Sequence, residues 1–262
     1  DIAAGGNLKF APAGGRPSSV EWPYYNFKMG DKGFLMAIGW PGQWSAEFSR
    51  DEAGLRLNIG QEQTHFVLEA GEEVRTPLMA MMFYHGDWIR GQNLWRQWMI
   101  RCNFPKDHGM PLRLPLFAGC SSHFYEEMAK ADEQSQITFI DGYLKHGLKL
   151  DYWWMDAGWY KGAYEKGWHG AAGTWEVDRR PHRFPDGLRP ISDYAHSKGI
   201  DIIVWFEPER VMPATWLVEN HPEWLLGALL NLGNPEAWNW LVNHIDKIIT
   251  DEGIDLYRQD FN

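Results

Sequence analysis

From about residue 114 onward the chain repeats one unit. An apolar run is followed by a polar loop and then by a segment of helical periodicity. The apolar runs are LPLFAG, LDYWWMDAGW, IDIIVWFEP and IDLYRQDF. Between them, QSQITFIDGYLKHG closes on Gly147, LRPISDYAHSKG on Gly199 and PEAWNWLVNHIDKIITDEG on Gly253, with Pro235 opening the last. Proline at the start and glycine just past the end are the signature of a helix. Strands that alternate with helices run parallel, because the helix carries the chain back to begin the next strand at the same end. Four such units make half of a (β/α)8 barrel, or a small open sheet.

Residues 1–105 have a different grain. GFLMAIGW, WSAEFSRDEAGLRLNIG and THFVLEAGEEVRTPLMAMMFYHG are short apolar or alternating runs cut by Gly, Asp-Glu and Pro turns. VLEAGEEVRTPLMAMMFY reads as two strands about an Ala-Gly-Glu-Glu turn. The region is expected to be a β-sandwich or part of one. WIRGQNLWRQWMIRC, residues 88–102, carries apolar side chains at helical spacing, and NFPKDHGMPLR is the expected linker. The expected fold is therefore mixed β and α/β: a β-sandwich region over 1–105, then the first four βα units of a (β/α)8 barrel over 106–262.

Composition narrows the partners. The net charge of −10 argues against nucleic acid and an anionic membrane surface, both of which call for a basic face. No run of 18 apolar residues suggests a membrane-spanning helix. A hydrophobic fraction of 44% supports a sizeable core. Sixteen Trp serve either that core or the flat apolar face of a pyranose. Cys102 and Cys120 are too few for a disulfide framework.

In βα architectures functional side chains gather at the C-terminal ends of strands. Here the first strand ends on Cys120, Ser121, Ser122 and His123. The second ends on Asp156 with Trp159 and Tyr160 after it. The third ends on Trp205, Glu207, Glu209 and Arg210, and the fourth on Arg258, Asp260 and Asn262. Acids thus end three successive strands, and a carboxylate there must be hydrated, paired, metal-bound or catalytic. Taken one at a time, a strand-end Asp is commonly a helix N-cap and Glu209 a partner for Arg210. Taken together, Asp156, Glu207 and Asp260 point to one mouth. They could ligate a divalent cation, as in a metal-dependent lyase or isomerase. They could instead serve glycoside hydrolysis, with one carboxylate attacking the anomeric carbon and a second acid protonating the leaving oxygen. Arg258 beside Asp260 favours its charged form. The abundance of Trp and Tyr around the mouth favours the sugar reading.

The segments YWWMDAGWY, IVWFEPERV with HPEWLL, and LLNLGNPEAWNWLVNHIDKIITDEGIDLYRQDFN resemble, in order and spacing, the α-galactosidase (melibiase) family of glycoside hydrolases, family 36 of clan D. The resemblance covers residues 115–262 and extends loosely to the N-terminal region, where that family carries a β-sandwich. It implies a retaining hydrolase of α-linked galactosides or related α-glycosides that needs no cofactor and no metal. It implies Asp260 as nucleophile, from the family's Lys-Trp-Asp-x-Asn motif, with Arg258 at the position of the substrate-binding Lys and Asn262 closing the motif. It further implies Asp156, Trp159, Trp205 and Glu207 in the substrate pocket, with Trp159 and Trp205 as stacking walls and Trp40 or Trp44 reaching the mouth from the sandwich.

Three departures are visible. Ala157 stands where the family has a second acid, Arg258 where it has Lys, and GCSSHFYEEM lacks the family's first-strand Trp-Glu pair. The family's general acid/base lies beyond a sixth strand, so the chain is expected to be a fragment. A homo-oligomer, or association with the missing half of the barrel, would then complete it. On that basis a non-catalytic sugar-binding fragment is the remaining alternative.

Overall fold

A computed structural model describes residues 2–112, 116–122 and 125–260. The chain divides into two compact units, Asp1–Leu112 and Arg113–Asn262. The division falls a few residues after the boundary expected from the sequence.

The first unit begins with six strands and a helix: β1 (Asn7–Phe10), β2 (Tyr24–Met29), β3 (Lys32–Gly39), β4 (Trp44–Arg50), β5 (Leu55–Gln61), β6 (Leu78–His85) and α1 (Trp88–Cys102). Two antiparallel three-stranded sheets form, in the orders β1-β4-β5 and β2-β3-β6. Phe34, Met36 and Ile38 of β3 join Trp44, Ala46 and Phe48 of β4 in one buried cluster, so the two sheets share a core. Alternation selects those residues, since every second side chain of a strand faces the same side. Trp44 is fully buried there and its indole N–H donates to the Pro17 carbonyl at 2.7 Å. It is a core residue, not one available to a sugar. Helix α1 spans the expected residues and begins on Asp87, whose side chain accepts from the Arg90 N–H.

One expectation fails in this unit. Residues 64–77 form no strand, so the expected hairpin is absent and its second half alone is a strand, β6, which begins at Leu78. Phe66, Val67, Leu68 and Val74 are exposed. Their apolar pattern finds no partner strand among the described residues, and a strand without a ladder is not stable in water. After α1, the expected linker folds into a two-rung ribbon of β7 (Lys106–Asp107) and β8 (Met110–Pro111).

The second unit continues with β9 (Ala118–Cys120), α2 (Tyr125–Lys130), α3 (Glu133–Lys145), β10 (Tyr152–Met155), α4 (Ala163–Gly170), α5 (Arg189–Ser197) and β11 (Asp201–Phe206). It closes with α6 (Trp216–Asn220), the short hairpin β12 (Leu225–Leu226) and β13 (Leu229–Leu230), α7 (Pro235–Glu252) and β14 (Leu256–Gln259). Strands β9, β10, β11 and β14 form one wholly parallel sheet in chain order. The loop after β10 reads as wholly polar connection but contains α4, which is kinked at Gly167.

Register decides what each face of this sheet does. Trp153, Met155, Ile202 and Val204 lie on the buried side with the helices. The alternate residues Cys120, Trp154, Ile203 and Arg258 are only half-buried. Consecutive strands pair Trp154 with Ile203 and Trp205 with Arg258, so these side chains share the more open face.

Each strand is launched the same way. Gly147, Gly199 and Gly253 adopt left-handed φ of 72°, 71° and 67° after α3, α5 and α7. An aspartate then starts or precedes the strand. Asp151 accepts from the Phe117 N–H at 2.9 Å, and Asp255 from the Ile202 N–H at 2.8 Å, each tying its strand to the one before. Glu252, buried at the end of α7, accepts from the N–H groups of Leu188 and Arg189 at the start of α5 and from Arg179 at 2.6 Å. A carboxylate placed there offsets the partial positive charge of the helix N-terminus.

Replacing Glu252 with Ala leaves the buried Leu188 N–H and the half-buried Arg189 N–H without this acceptor. The expected loss is on the order of 3 kcal/mol, read from urea unfolding midpoints against the parent chain. A change under about 0.5 kcal/mol, the range typical of surface substitutions, would contradict the assigned role.

Candidate active site

The carboxyl ends of β10, β11 and β14 bring part of the expected constellation together. Asp260 follows β14, and its backbone N–H donates to the Phe206 carbonyl at 2.8 Å, continuing the ladder one residue past the strand. Its Oδ2 accepts from the Trp205 indole Nε1 at 3.0 Å and from the Arg258 guanidinium at 3.1 Å. Both side chains of the Arg258–Asp260 pair keep partial exposure, at 35% and 26%. Arg258 also lies over the Trp154 ring, its Cζ 4.7 Å from the centroid. That cation–π contact spans the intervening strand β11 and fixes the guanidinium plane. Asp260 is therefore oriented, not mobile, and it is reachable from the open face.

Trp205 is itself fixed. It is 2% exposed, and its ring packs against Tyr160, Trp168 and Trp175 of the loop after β10. Its carbonyl accepts from the Trp159 Nε1 at 3.0 Å. Trp159 is 1% exposed and enclosed by Tyr160, Trp175 and Phe206. Neither indole offers a free face, so the expectation of two stacking walls is corrected. Trp205 presents its N–H to Asp260, and Trp159 holds Trp205.

Asp156 follows β10, two strands from β14 and Asp260. Its Oδ1 accepts from the Ala157 N–H at 2.8 Å, and Ser122 Oγ stands 3.4 Å from Oδ2. Glu207 departs from expectation. It is fully buried, and Arg210 grips both its oxygens, Nε to Oε2 at 2.6 Å and a terminal nitrogen to Oε1 at 2.8 Å. A carboxylate so engaged braces the loop after β11 and does not face a pocket. Among the described residues, Asp156, Glu207 and Asp260 do not gather three oxygens about one point. Glu207 and Asp260 each sit against a guanidinium, which disfavours a cation between them. Cys120 and Cys102 are both free thiols. Ser121 is buried and accepts from Gln136, which in turn accepts from the Trp153 indole. His123 and Asn262 lie outside the described residues.

One group escaped the sequence reading. Arg183 and Asp178, both fully buried, form an ion pair at 3.2 Å. Arg180 adds a two-pronged contact to Asp178, at 2.7 and 2.5 Å. Arg183 donates to the carbonyls of Gly158 and Ala131, and the Asp178 N–H donates to the Trp159 carbonyl at 3.1 Å. The pair thus clamps the turn that carries Asp156 and Trp159. Gly158 at φ 97° fits that turn, where a Cβ would come within 2.3 Å of the Met128 carbonyl oxygen. Burial pushes the Asp178 carboxyl up, but the two arginines outweigh it and hold the group below its usual value. Burial likewise pulls Arg183 down against the attraction of Asp178. The signal in the sequence was the run VDRRPHRFPDG, where three arginines stand beside an aspartate in a stretch that reads as solvent-facing loop.

A parallel βα sheet whose strand ends carry an oriented aspartate, its arginine and a buttressing indole defines a carboxylate-centred site of the βα-sheet type. The melibiase family model matches residues 90–262, and the chain belongs to that family. It is 26% identical over 246 residues to α-galactosidase Mel36A of Lactobacillus acidophilus, covering 86% of this chain and 32% of that protein. To the probable α-galactosidase C of Aspergillus flavus it is 28% identical over 251 residues, covering 84% and 31%. The chain therefore spans about a third of the length of the curated relatives it matches. In three dimensions it resembles the GH36 α-galactosidase AgaA of Geobacillus stearothermophilus, with a TM-score of 0.82 at 17% identity, over 100% of this chain and 38% of that one. AgaA A355E D478A has been solved in complex with stachyose, and that structure matches with a TM-score of 0.80 at 17% identity, over 98% of this chain and 37% of that one.

Asp178→Asn leaves Arg183 buried without its counter-charge, and an expected 3–5 kcal/mol of stability is lost at neutral pH, in the range of about that size for broken buried pairs. Asp178 has a depressed folded pKa, so its contribution is present above the unfolded value of about 4 and is lost as pH falls through the folded one. The parent should therefore destabilise more steeply than Asp178→Asn in acid titrations of the unfolding midpoint. Parallel acid limbs for the two chains would contradict this.

Proposed function

We propose that the chain is the nucleophile-bearing part of a retaining glycoside hydrolase acting on α-linked galactosides or related α-glycosides. Its second unit supplies the first half of a (β/α)8 barrel and its first unit belongs to a β-sandwich. The observation that carries this reading is the fixed Asp260 carboxylate at the end of a parallel strand, held by Trp205 Nε1 and Arg258 on the half-open face of the sheet. Family membership and the α-galactosidase names of the relatives support the substrate class.

The reaction proceeds by two displacements. Asp260 attacks the anomeric carbon, a C–O bond to the enzyme forms, and the bond to the leaving oxygen breaks as that oxygen takes a proton from a second acid. Water then attacks the same carbon, gives its proton to that second group, and releases Asp260, for net retention. The family resemblance places the second acid beyond the sixth strand of the barrel. Arg258 and Asp156 hold sugar hydroxyls. Trp205 holds the nucleophile in line, since a misaligned carboxylate loses much of the advantage of proximity. Asn262 is assigned to substrate by its place in the family motif. Trp159 acts on the site through Trp205, as a positioning residue, and Glu207 braces the loop after β11 through Arg210. A metal-dependent lyase gains no support from guanidinium-paired acids. A non-catalytic sugar-binding role would keep the binding contacts without the attack.

A fluorinated α-galactosyl fluoride tests the reading. Its leaving group departs with little protonation, so the second acid is not required. Peptide mass mapping should place a stoichiometric label on Asp260, and Asp260→Asn should abolish it. Label on another residue, or none while the parent binds galactosides, would overturn nucleophilic attack by Asp260.

A further inference from the structure

We propose that a cleft between the loop after β10 and the loop after β11 is a second carbohydrate site, separate from the Asp260 mouth, shaped for one neutral hexopyranose ring. This inference does not rest on the assignment of Asp260.

The cleft has a volume of 130 Å³. That is well below the roughly 300 Å³ where pockets for drug-sized ligands begin, so it suits one small ring. Its aromatic wall is Trp216, 37% exposed. One face of Trp216 is stacked on Trp240, with centroids 5.6 Å apart and planes 16° apart. Trp240 is stacked in turn on His244, whose Nε2 lies 2.6 Å from the Thr174 carbonyl oxygen. The indole is thus immobilised from behind and keeps exposed surface beside the cleft. A fixed, amphipathic ring is the element that binds the apolar face of a sugar at low entropic cost.

The polar rim is a Lys161–Glu176 ion pair in the same lining. It supplies ammonium donors and carboxylate acceptors, the two partners a hydroxyl uses. The two charges cancel, so the rim selects neither an anion nor a cation. Inside the lining, Thr174 Oγ1 and Trp175 Nε1 are buried without a hydrogen-bond partner. Both residues are at least nine-tenths buried.

Backbone strain converges on the same place. Trp175 and Ala214 have φ of 60° and 58°. They are two of the five described non-glycine residues in the left-handed region, and both line this cleft. Strain of this kind persists where the surroundings impose it, and it concentrates at binding sites. Tyr160 and Trp175 border the cleft and also pack on Trp205. Trp205 presents its indole N–H to Asp260, so that ring stands between the two sites.

The test titrates methyl α-galactopyranoside and methyl α-glucopyranoside into the chain, followed by saturation-transfer NMR and by tryptophan fluorescence. The mouth is silenced by the double substitution Asp156→Asn with Asp260→Asn. Millimolar binding of at least one glycoside should survive in that background. Adding Trp216→Ala should weaken it at least tenfold, and Trp216→Phe should restore it to within about threefold, with unfolding midpoints unchanged. An affinity unaffected by Trp216→Ala would overturn the proposal. So would a mouth-silenced chain that binds neither glycoside.

Discussion

The parallel register of β9, β10, β11 and β14 is the constraint on which the site depends. Side chains two apart share a face, and neighbouring strands stand in step, so the pairing of Trp205 with Arg258 settles the side on which Asp260 emerges. Helices α3, α5 and α7 contribute to the core on one side, where Trp153, Met155, Ile202 and Val204 are buried. The polar residues are left on the other. A slip of one residue would send Asp260 into the helix layer, where an unpaired carboxylate is not sustainable. The aspartates at the strand starts guard against such a slip: Asp151 accepts from the N–H of Phe117, just before β9, and Asp255 from that of Ile202, the second residue of β11.

Within that frame the acids divide by their partners. Glu207 is fully buried and doubly bonded to Arg210, an arrangement that stiffens a loop. Asp178 is buried between Arg180 and Arg183 and stiffens the turn after β10. Asp260 has a guanidinium and an indole N–H on one oxygen and retains exposure. Of these three carboxylates it is the one that keeps exposure. The aromatic residues act as a relay. Phe206, Trp159, Trp175 and Trp205 touch in sequence, so these three tryptophans pack together behind Asp260.

The alternation of strand and helix was legible because α3, α5 and α7 each run into a left-handed glycine and the strand runs are short and apolar. Helix α1 was legible end to end, since its periodicity is uninterrupted and Asp87 caps it. The apolar pattern at 64–77 misled, because pattern alone does not supply a partner strand. Trp159 and Trp205 were recognisable as site residues but not as buried ones. Their exposure depends on Tyr160, Trp168 and Trp175, which fold over them from a loop whose course no local rule gives. Glu207 was misjudged for a similar reason: the i, i+3 spacing to Arg210 was visible, but only the fold shows that both oxygens are taken. The Asp178–Arg183 clamp was hidden because charged loops are ordinarily solvated, and burial of this pair is a tertiary fact.

The proposed reaction requires Asp260 to face a sugar's anomeric carbon while Trp205 and Arg258 hold it. A crystal structure with a galactose-configured iminosugar tests that arrangement most directly. The prediction is a ring whose anomeric position lies about 3–3.5 Å from an Asp260 carboxylate oxygen, the near-attack range, with the Trp205 Nε1 contact intact. An iminosugar bound with its anomeric position directed away from Asp260, or a carboxylate swung off Trp205 to cap the backbone, would contradict it.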